Sequence, residues 1–260
     1  MKIVADENMP GVREAFEPLG DVTTLPGREI GPEHVRDAEV LLVRSVTRVD
    51  APLLADSAVR FVGSATIGVD HLDQTWLRDR GITVQSAPAC NAAAAAQWVL
   101  RVVLELLHRR DLDTRDMVVG IVGLGNVGSR VKALFEAIGV RCLVNDPPRA
   151  MEEGSEGFVE LEELLQRSDV ISVHVPLERR KRWPTFHLID EPFLSLCRNG
   201  AIVINASRGA VADTSALLRH AWRTDMVIDT WEGEPHVHLG LLGQCSLASP
   251  HVAGYSLEGR

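Results

Sequence analysis

Three short segments carry residue types that together could handle an α-hydroxy acid. They are Asn205-Ala206-Ser207-Arg208-Gly209, Asp229-Thr230-Trp231-Glu232-Gly233-Glu234-Pro235 and Pro250-His251-Val252-Ala253-Gly254-Tyr255. Each follows an apolar run of strand character. In an open α/β sheet, the carboxyl ends of the strands are where ligands bind. Oxidising a carbon that bears a hydroxyl beside a carboxylate needs a base for the hydroxyl proton. It also needs a cation to hold the carboxylate and to offset charge on oxygen. Arg208 suits the second task, because a guanidinium grips a carboxylate bidentately. His251 suits the first, because imidazole titrates near working pH. A neighbouring carboxylate would orient that ring and raise its pKa. The acids of the second segment could supply that carboxylate.

A second constellation is Gly123-Leu124-Gly125-Asn126-Val127-Gly128, which follows the apolar run Val118–Val122 and opens a helical stretch. In that context GxGxxG has a mechanism. Gly123 permits the tight turn, Gly125 lets backbone approach a pyrophosphate, and Gly128 allows close helix–strand packing. The helix N-terminus then offers N–H groups and a positive dipole end to the phosphates. Asp146 lies 23 residues after Gly123 and ends the next strand. A carboxylate there accepts hydrogen bonds from an adenosine ribose. It also repels a 2′-phosphate, which predicts NAD rather than NADP. Arg149 works against this preference, since a nearby arginine can accommodate the extra phosphate.

The elements that must position these residues are β-α-β units. Strands are expected at Lys2–Ala5, Val40–Val43, Phe61–Val62 and Thr83–Gln85, with helices at Gly11–Leu19, Ala51–Asp56 and His71–Arg80. The alanine-rich Ala92–His108 predicts a long helix, with Asn91 as its N-cap. A second series of strands is expected at Val118–Val122, Cys142–Asn145, Val170–Val175, Ala201–Asn205, Val227–Asp229 and Ser246–Ala248. Helices alternate with them at Val127–Ile138, Leu161–Gln166, Glu191–Leu196 and Thr214–Trp222. The fold class is therefore α/β, with two β-α-β lobes. Residues 1–90 form the first lobe. Residues 91–260 form a Rossmann-type NAD lobe that begins with the long linking helix.

The 260 residues carry 36 Asp+Glu against 27 Lys+Arg, a formal charge of −9. That balance disfavours nucleic-acid and anionic-membrane partners. Apolar residues make up 45%, as in ordinary globular chains. Cys90, Cys142, Cys197 and Cys245 form no CxxC pair, so they predict small core residues rather than a metal site or a disulfide framework. The opening MKIVADENMP lacks the pattern of a signal peptide, and no apolar run is long enough to span a membrane. A cytoplasmic protein is expected.

Taken jointly, the Gly-rich loop, NASRG, DTWEGEP and PHVAGY resemble the D-isomer-specific 2-hydroxyacid dehydrogenases. ADENMP, VRSVT, DPPR and GYSLEG are similar to the subgroup acting on 4-phospho-D-erythronate. The resemblance runs along essentially the whole chain. It implies a flavodoxin-like substrate lobe, a Rossmann NAD lobe, and oxidation of a small phosphorylated 2-hydroxy acid. Other family substrates are 3-phosphoglycerate and glyoxylate or hydroxypyruvate. By motif, Arg208, Glu234 and His251 resemble the catalytic set, Glu234 as the partner of the histidine with Glu232 as the adjacent alternative. Gly123, Gly125, Asn126, Val127, Gly128, Asp146, Val175, Asp229 and Gly254 resemble cofactor contacts, and Ser45, Thr66 and Tyr255 resemble substrate contacts. Val175 departs from the subgroup, which often has a hydroxyl there, and Ala89 stands where a glycine is expected. The family continues past GYSLEG into a closing helix, and the subgroup adds a dimerisation domain. A chain stopping at Arg260 would lack both and could be a non-catalytic NAD-binding protein.

Overall fold

The computed structural model describes residues 1–66, 68–87 and 89–256. The chain divides into two compact units, Met1–Cys90 and Asn91–Ser256. Leu257–Arg260, which the sequence reading joins to the second lobe, lie outside the described residues.

The first unit is built on five strands: β1 (Lys2–Asp6), β2 (Asp21–Leu25), β3 (Val40–Val43), β4 (Phe61–Ser64) and β5 (Thr83–Ser86). All pair in parallel, in the order β2-β1-β3-β4-β5, the flavodoxin-like arrangement. Successive side chains of a strand point to opposite faces. Accordingly, Val4, Leu41 and Val43 enter one apolar cluster, while Ile3, Ala5 and Leu42 enter another. The sequence does not announce β2. It is an edge strand without a fully buried residue, so it has no apolar run to betray it.

The second unit contains β6 (Val118–Val122), β7 (Arg141–Asn145), β8 (Val170–Val173), β9 (Ile202–Asn205), β10 (Asp225–Ile228) and β11 (Leu247–Ala248). They form a parallel sheet ordered β11-β10-β9-β8-β6-β7. The direction of winding reverses between β6 and β8, and that switch point is where a doubly wound sheet opens a crevice. The helix Ala92–Arg109 buries Ala92, Ala95, Ala96, Val99, Val102, Val103, Leu106 and Leu107, a stripe at helical spacing. It packs in one cluster with Val131 and Phe135 of the helix Asn126–Ala137 and with Val119, Ile121, Ile202 and Ile204 of the sheet. Ile171, Val173, Val203 and Met226 point into the cluster on the opposite face.

Two local expectations are corrected. Asn91 sits at the N-cap of Ala92–Arg109, but its side chain makes no capping hydrogen bond. Its amide instead lies where a Cβ on Gly254 would fall, 2.3 Å from Asn91 Nδ2. Strand β8 stops at Val173, which releases His174 and Val175 into the loop above the switch point. Of the cysteines, Cys197 is buried and Cys90 is exposed, and all four are unbridged. No helix among the described residues is long and apolar enough to cross a membrane.

Candidate active site

At the switch point, the turn after β6 runs into the helix Asn126–Ala137 with its glycines tightly fitted. A Cβ on Gly128 would stand 2.0 Å from Gly123 O, whereas one on Gly125 would meet nothing within 4 Å. Gly123 and Gly128 are closely packed, and Gly125 between them presents bare backbone. No side chain caps the helix N-terminus, so its first N–H groups remain open to an anion. Val175 packs onto the turn, its Cγ1 2.9 Å from the Cβ position of Gly123. Asp146 follows β7 and begins the helix Pro147–Glu153, which prolines at its first two positions suit. Its Oδ2 accepts from Leu124 N at 2.7 Å and its Oδ1 from Arg149 N at 3.1 Å. A carboxylate has about four lone-pair directions, so Asp146 keeps acceptor capacity for ribose hydroxyls. The open helix end, the bare Gly125 and the acid beside them fit a dinucleotide.

The other loops lie at the carboxyl ends of β9, β10 and β11. Asn205, fully buried at the end of β9, accepts from Ser207 N at 3.2 Å and Ser207 Oγ at 2.9 Å, and donates to Arg208 O at 3.0 Å. This fixes the turn that carries Arg208, whose Nη1 donates to Ser207 O at 2.7 Å. At Gly209 that turn touches the next loop: a Cβ there would lie 1.9 Å from Trp231 O. Asp229, also buried, organises the histidine loop. Its Oδ1 accepts from Ser249 Oγ at 2.5 Å and Val252 N at 2.8 Å, and its Oδ2 from Ala253 N at 3.0 Å.

His251 sits in that loop with a left-handed φ of 57°, a backbone state non-glycine residues rarely adopt. Its Nδ1 is 2.9 Å from Glu234 Oε2, and Glu234 Oε1 accepts from Trp231 N at 2.6 Å. The hydrogen bond from Glu234 raises the His251 pKa above the ordinary imidazole value against the opposing effect of burial. Burial pushes the Glu234 carboxyl up, but the bonds from His251 and Trp231 and the charge of Arg208 prevail and lower it. Arg208 also opposes the rise at His251, so its field reaches both members of the pair.

Glu232 belongs to a different pair. Its Oε1 is 2.5 Å from His187 Nε2, and its Oε2 accepts from Thr214 Oγ1 at 2.8 Å and Thr214 N at 3.2 Å. The structure thereby resolves the choice between the two glutamates in favour of Glu234 as the neighbour of His251.

In the first unit, Val43 of β3 pairs with Ser64 of β4. Ser45 and Thr66 each lie two residues beyond that pair, so both fall on the same sheet edge. Ser45 is exposed and joins Val46, Arg48, Asp70, His71 and Leu72 around a cavity of about 360 Å³. Thr66 Oγ1 is 2.9 Å from Ser64 Oγ, which is 3.1 Å from His71 Nε2. Sequence reasoning missed His71 and also Arg44, whose Nε donates to the buried Asp6 Oδ2 at 3.0 Å. The buried acid at the end of β1 was the available signal. It missed His174 as well: burial pushes that imidazole down to about 4, and Ser172 Oγ lies 2.8 Å from its Nε2. Tyr255 is largely exposed, and its N–H donates to Val252 O at 2.8 Å.

Comparison with known proteins adds a consistent picture. Residues 88–253 match the model of the D-isomer specific 2-hydroxyacid dehydrogenase NAD binding domain. The chain is 47% identical to an erythronate-4-phosphate dehydrogenase of Escherichia coli, over 100% of this chain and 70% of that relative. A Shigella boydii protein of the same name is 46% identical over the same shares. Among solved structures, the TT0316 protein of Thermus thermophilus superposes with a TM-score of 0.85 at 27% identity, covering 100% of this chain and 92% of that one. An NAD+-bound 3-phosphoglycerate dehydrogenase of Entamoeba histolytica gives 0.82 at 26% identity, covering 100% and 90%.

Proposed function

The chain belongs to the D-isomer specific 2-hydroxyacid dehydrogenases, and from that premise we propose that it oxidises 4-phospho-D-erythronate to the 2-oxo acid 3-hydroxy-2-oxo-4-phosphobutanoate. The reaction would serve pyridoxal 5′-phosphate (vitamin B6) synthesis. It is an NAD-dependent oxidoreductase. The observation that carries the proposal is the 2.9 Å pairing of His251 Nδ1 with Glu234 within the field of Arg208.

Glu234 accepts a hydrogen bond from His251 Nδ1–H, which leaves Nε2 as the lone-pair nitrogen for substrate. Nε2 takes the C2 hydroxyl proton. Arg208 holds the substrate carboxylate and offsets the charge that grows on the C2 oxygen. NAD, when bound, supplies the hydride acceptor. Gly123, Gly125, Asn126, Val127 and Gly128 would cradle its pyrophosphate, and Asp146 its adenosine ribose. Val175 contributes packing, and Asp229 and Gly254 hold the loop on the nicotinamide side. We propose Ser45, Thr66 and Tyr255 as substrate contacts. We place the enzyme in the cytoplasm, where unbridged cysteines belong; a homodimer is what the resemblance implies for the family.

A panel of 2-hydroxy acids followed by NADH absorbance tests this reading. 4-Phospho-D-erythronate should give the highest kcat/KM. A higher value with 3-phosphoglycerate or hydroxypyruvate would reassign the substrate, and no turnover with any acid would overturn the enzymatic role.

A further inference from the structure

Beside Asp146 lies a cation whose three nitrogens are each engaged elsewhere. Arg149 Nη1 donates to Leu124 O at 2.6 Å, while its Nε and Nη2 donate to the two carboxylate oxygens of Glu153 at 2.8 and 2.9 Å. Leu124 is thus held at both ends, its N–H by Asp146 and its carbonyl by Arg149. The Glu153 pair is an unpromising one for helix stability. Glu153 is the last residue of the helix Pro147–Glu153, where a carboxylate opposes the dipole. The order, arginine four residues before glutamate, is also the weaker orientation for such pairs.

We propose that Glu153 is a positioning residue for cofactor choice. By gripping Arg149 bidentately it denies that guanidinium to a 2′-phosphate and keeps NADP a poor cofactor. The proposal rests on the reading that Asp146 meets the adenosine ribose. With Glu153 present, the side chains of Asp146, Arg149 and Glu153 sum to one negative charge at this edge. Without it they sum to zero, and Nε and Nη2 become available donors beside the ribose. Arg149 would then act as the phosphate-accommodating arginine that its position allows.

The test measures NAD and NADP affinities by calorimetric titration of the full chain and its variants. Glu153→Ala should strengthen NADP binding about threefold to fivefold, the effect of one charge contact at a partly exposed site, and leave NAD binding within about twofold. Glu153→Gln should give a smaller gain in the same direction. Combined with Asp146→Ser, Glu153→Ala should exceed the product of the single effects, because both act on one phosphate position. Adding Arg149→Gln should abolish the gain. An unchanged NADP/NAD ratio in Glu153→Ala, where Asp146→Ser does shift the ratio, would overturn this proposal alone. So would a gain that survives Arg149→Gln. Absence of NAD binding by the unaltered chain, or no effect of Asp146→Ser, would overturn the ribose reading and this proposal with it.

Discussion

One tripeptide, Glu232-Gly233-Glu234, makes two histidine pairs with opposite characters. Both partner histidines adopt left-handed backbone, with φ of 53° at His187 and 57° at His251. At His187 the surroundings consume the chemistry. Its ring stacks on Phe186 with centroids 3.9 Å apart, Arg179 lies 3.7 Å over that phenyl ring, and the second oxygen of Glu232 is spent on Thr214. At His251 the side chain is half exposed, the glutamate is oriented by a backbone N–H, and a third charged group, Arg208, acts on the pair. On the proposed roles, residue type and pairing are insufficient to mark a proton-handling histidine. What separates the two pairs is whether anything besides the partner occupies the ring.

Breaking the pairs one at a time should expose that difference. His251→Ala should lower kcat by roughly 10²–10⁴, the usual contribution of a general base; a normal kcat would equate the two histidines and end the distinction. Arg208→Ala should reduce kcat/KM by about 10–100-fold, as loss of a charge-assisted bidentate contact, while calorimetry finds NAD affinity nearly unchanged.

Glu234→Gln should act chiefly through pH. Oxidation by the unaltered enzyme should fall as pH drops through the His251 pKa, which the Glu234 bond has raised, because a protonated ring cannot accept the hydroxyl proton. Removing the carboxylate charge should move that acid limb of the kcat/KM profile to lower pH. The linked stability has the opposite sense: a raised histidine pKa stabilises the fold below the unfolded value and ceases to do so as pH rises through the folded one. His187→Gln should do least to catalysis, holding kcat within about twofold. It should cost about 1 kcal/mol of stability for one hydrogen bond, measured by denaturant unfolding. His174 sharpens the contrast from a third side. Its imidazole, buried and held near 4, should withdraw roughly 2–3 kcal/mol of stability as pH falls from about 6.5 toward 4.

What the residue string reveals depends on how local the cause is. The strand–turn–helix around Gly123–Gly128 is legible because apolar run, glycine spacing and helix former are contiguous. The arrival of Arg208, Glu234 and His251 at strand ends is legible for the same reason. Which glutamate meets His251 is not, because the answer depends on where the loop after β8 brings His187. Strand β2 escapes because its pairing with β1, rather than any burial of its own, makes it a strand. Ala89 is a case where the expected residue exposes the conformation. The position that reads as glycine has φ 67°, a left-handed state that costs an L-residue roughly 1–2 kcal/mol.

The missing Cβ of Gly209 has a mechanical consequence. With Trp231 O filling the place a side chain would take, the loop bearing Arg208 rests directly on the backbone that leads to Glu234. The two loops meet backbone to backbone at this point. On the proposed roles, the spacing between carboxylate grip and proton acceptor is set at this contact, like the jaw of a fixed gauge. Any residue larger than glycine would reset that gauge before it touched either functional group.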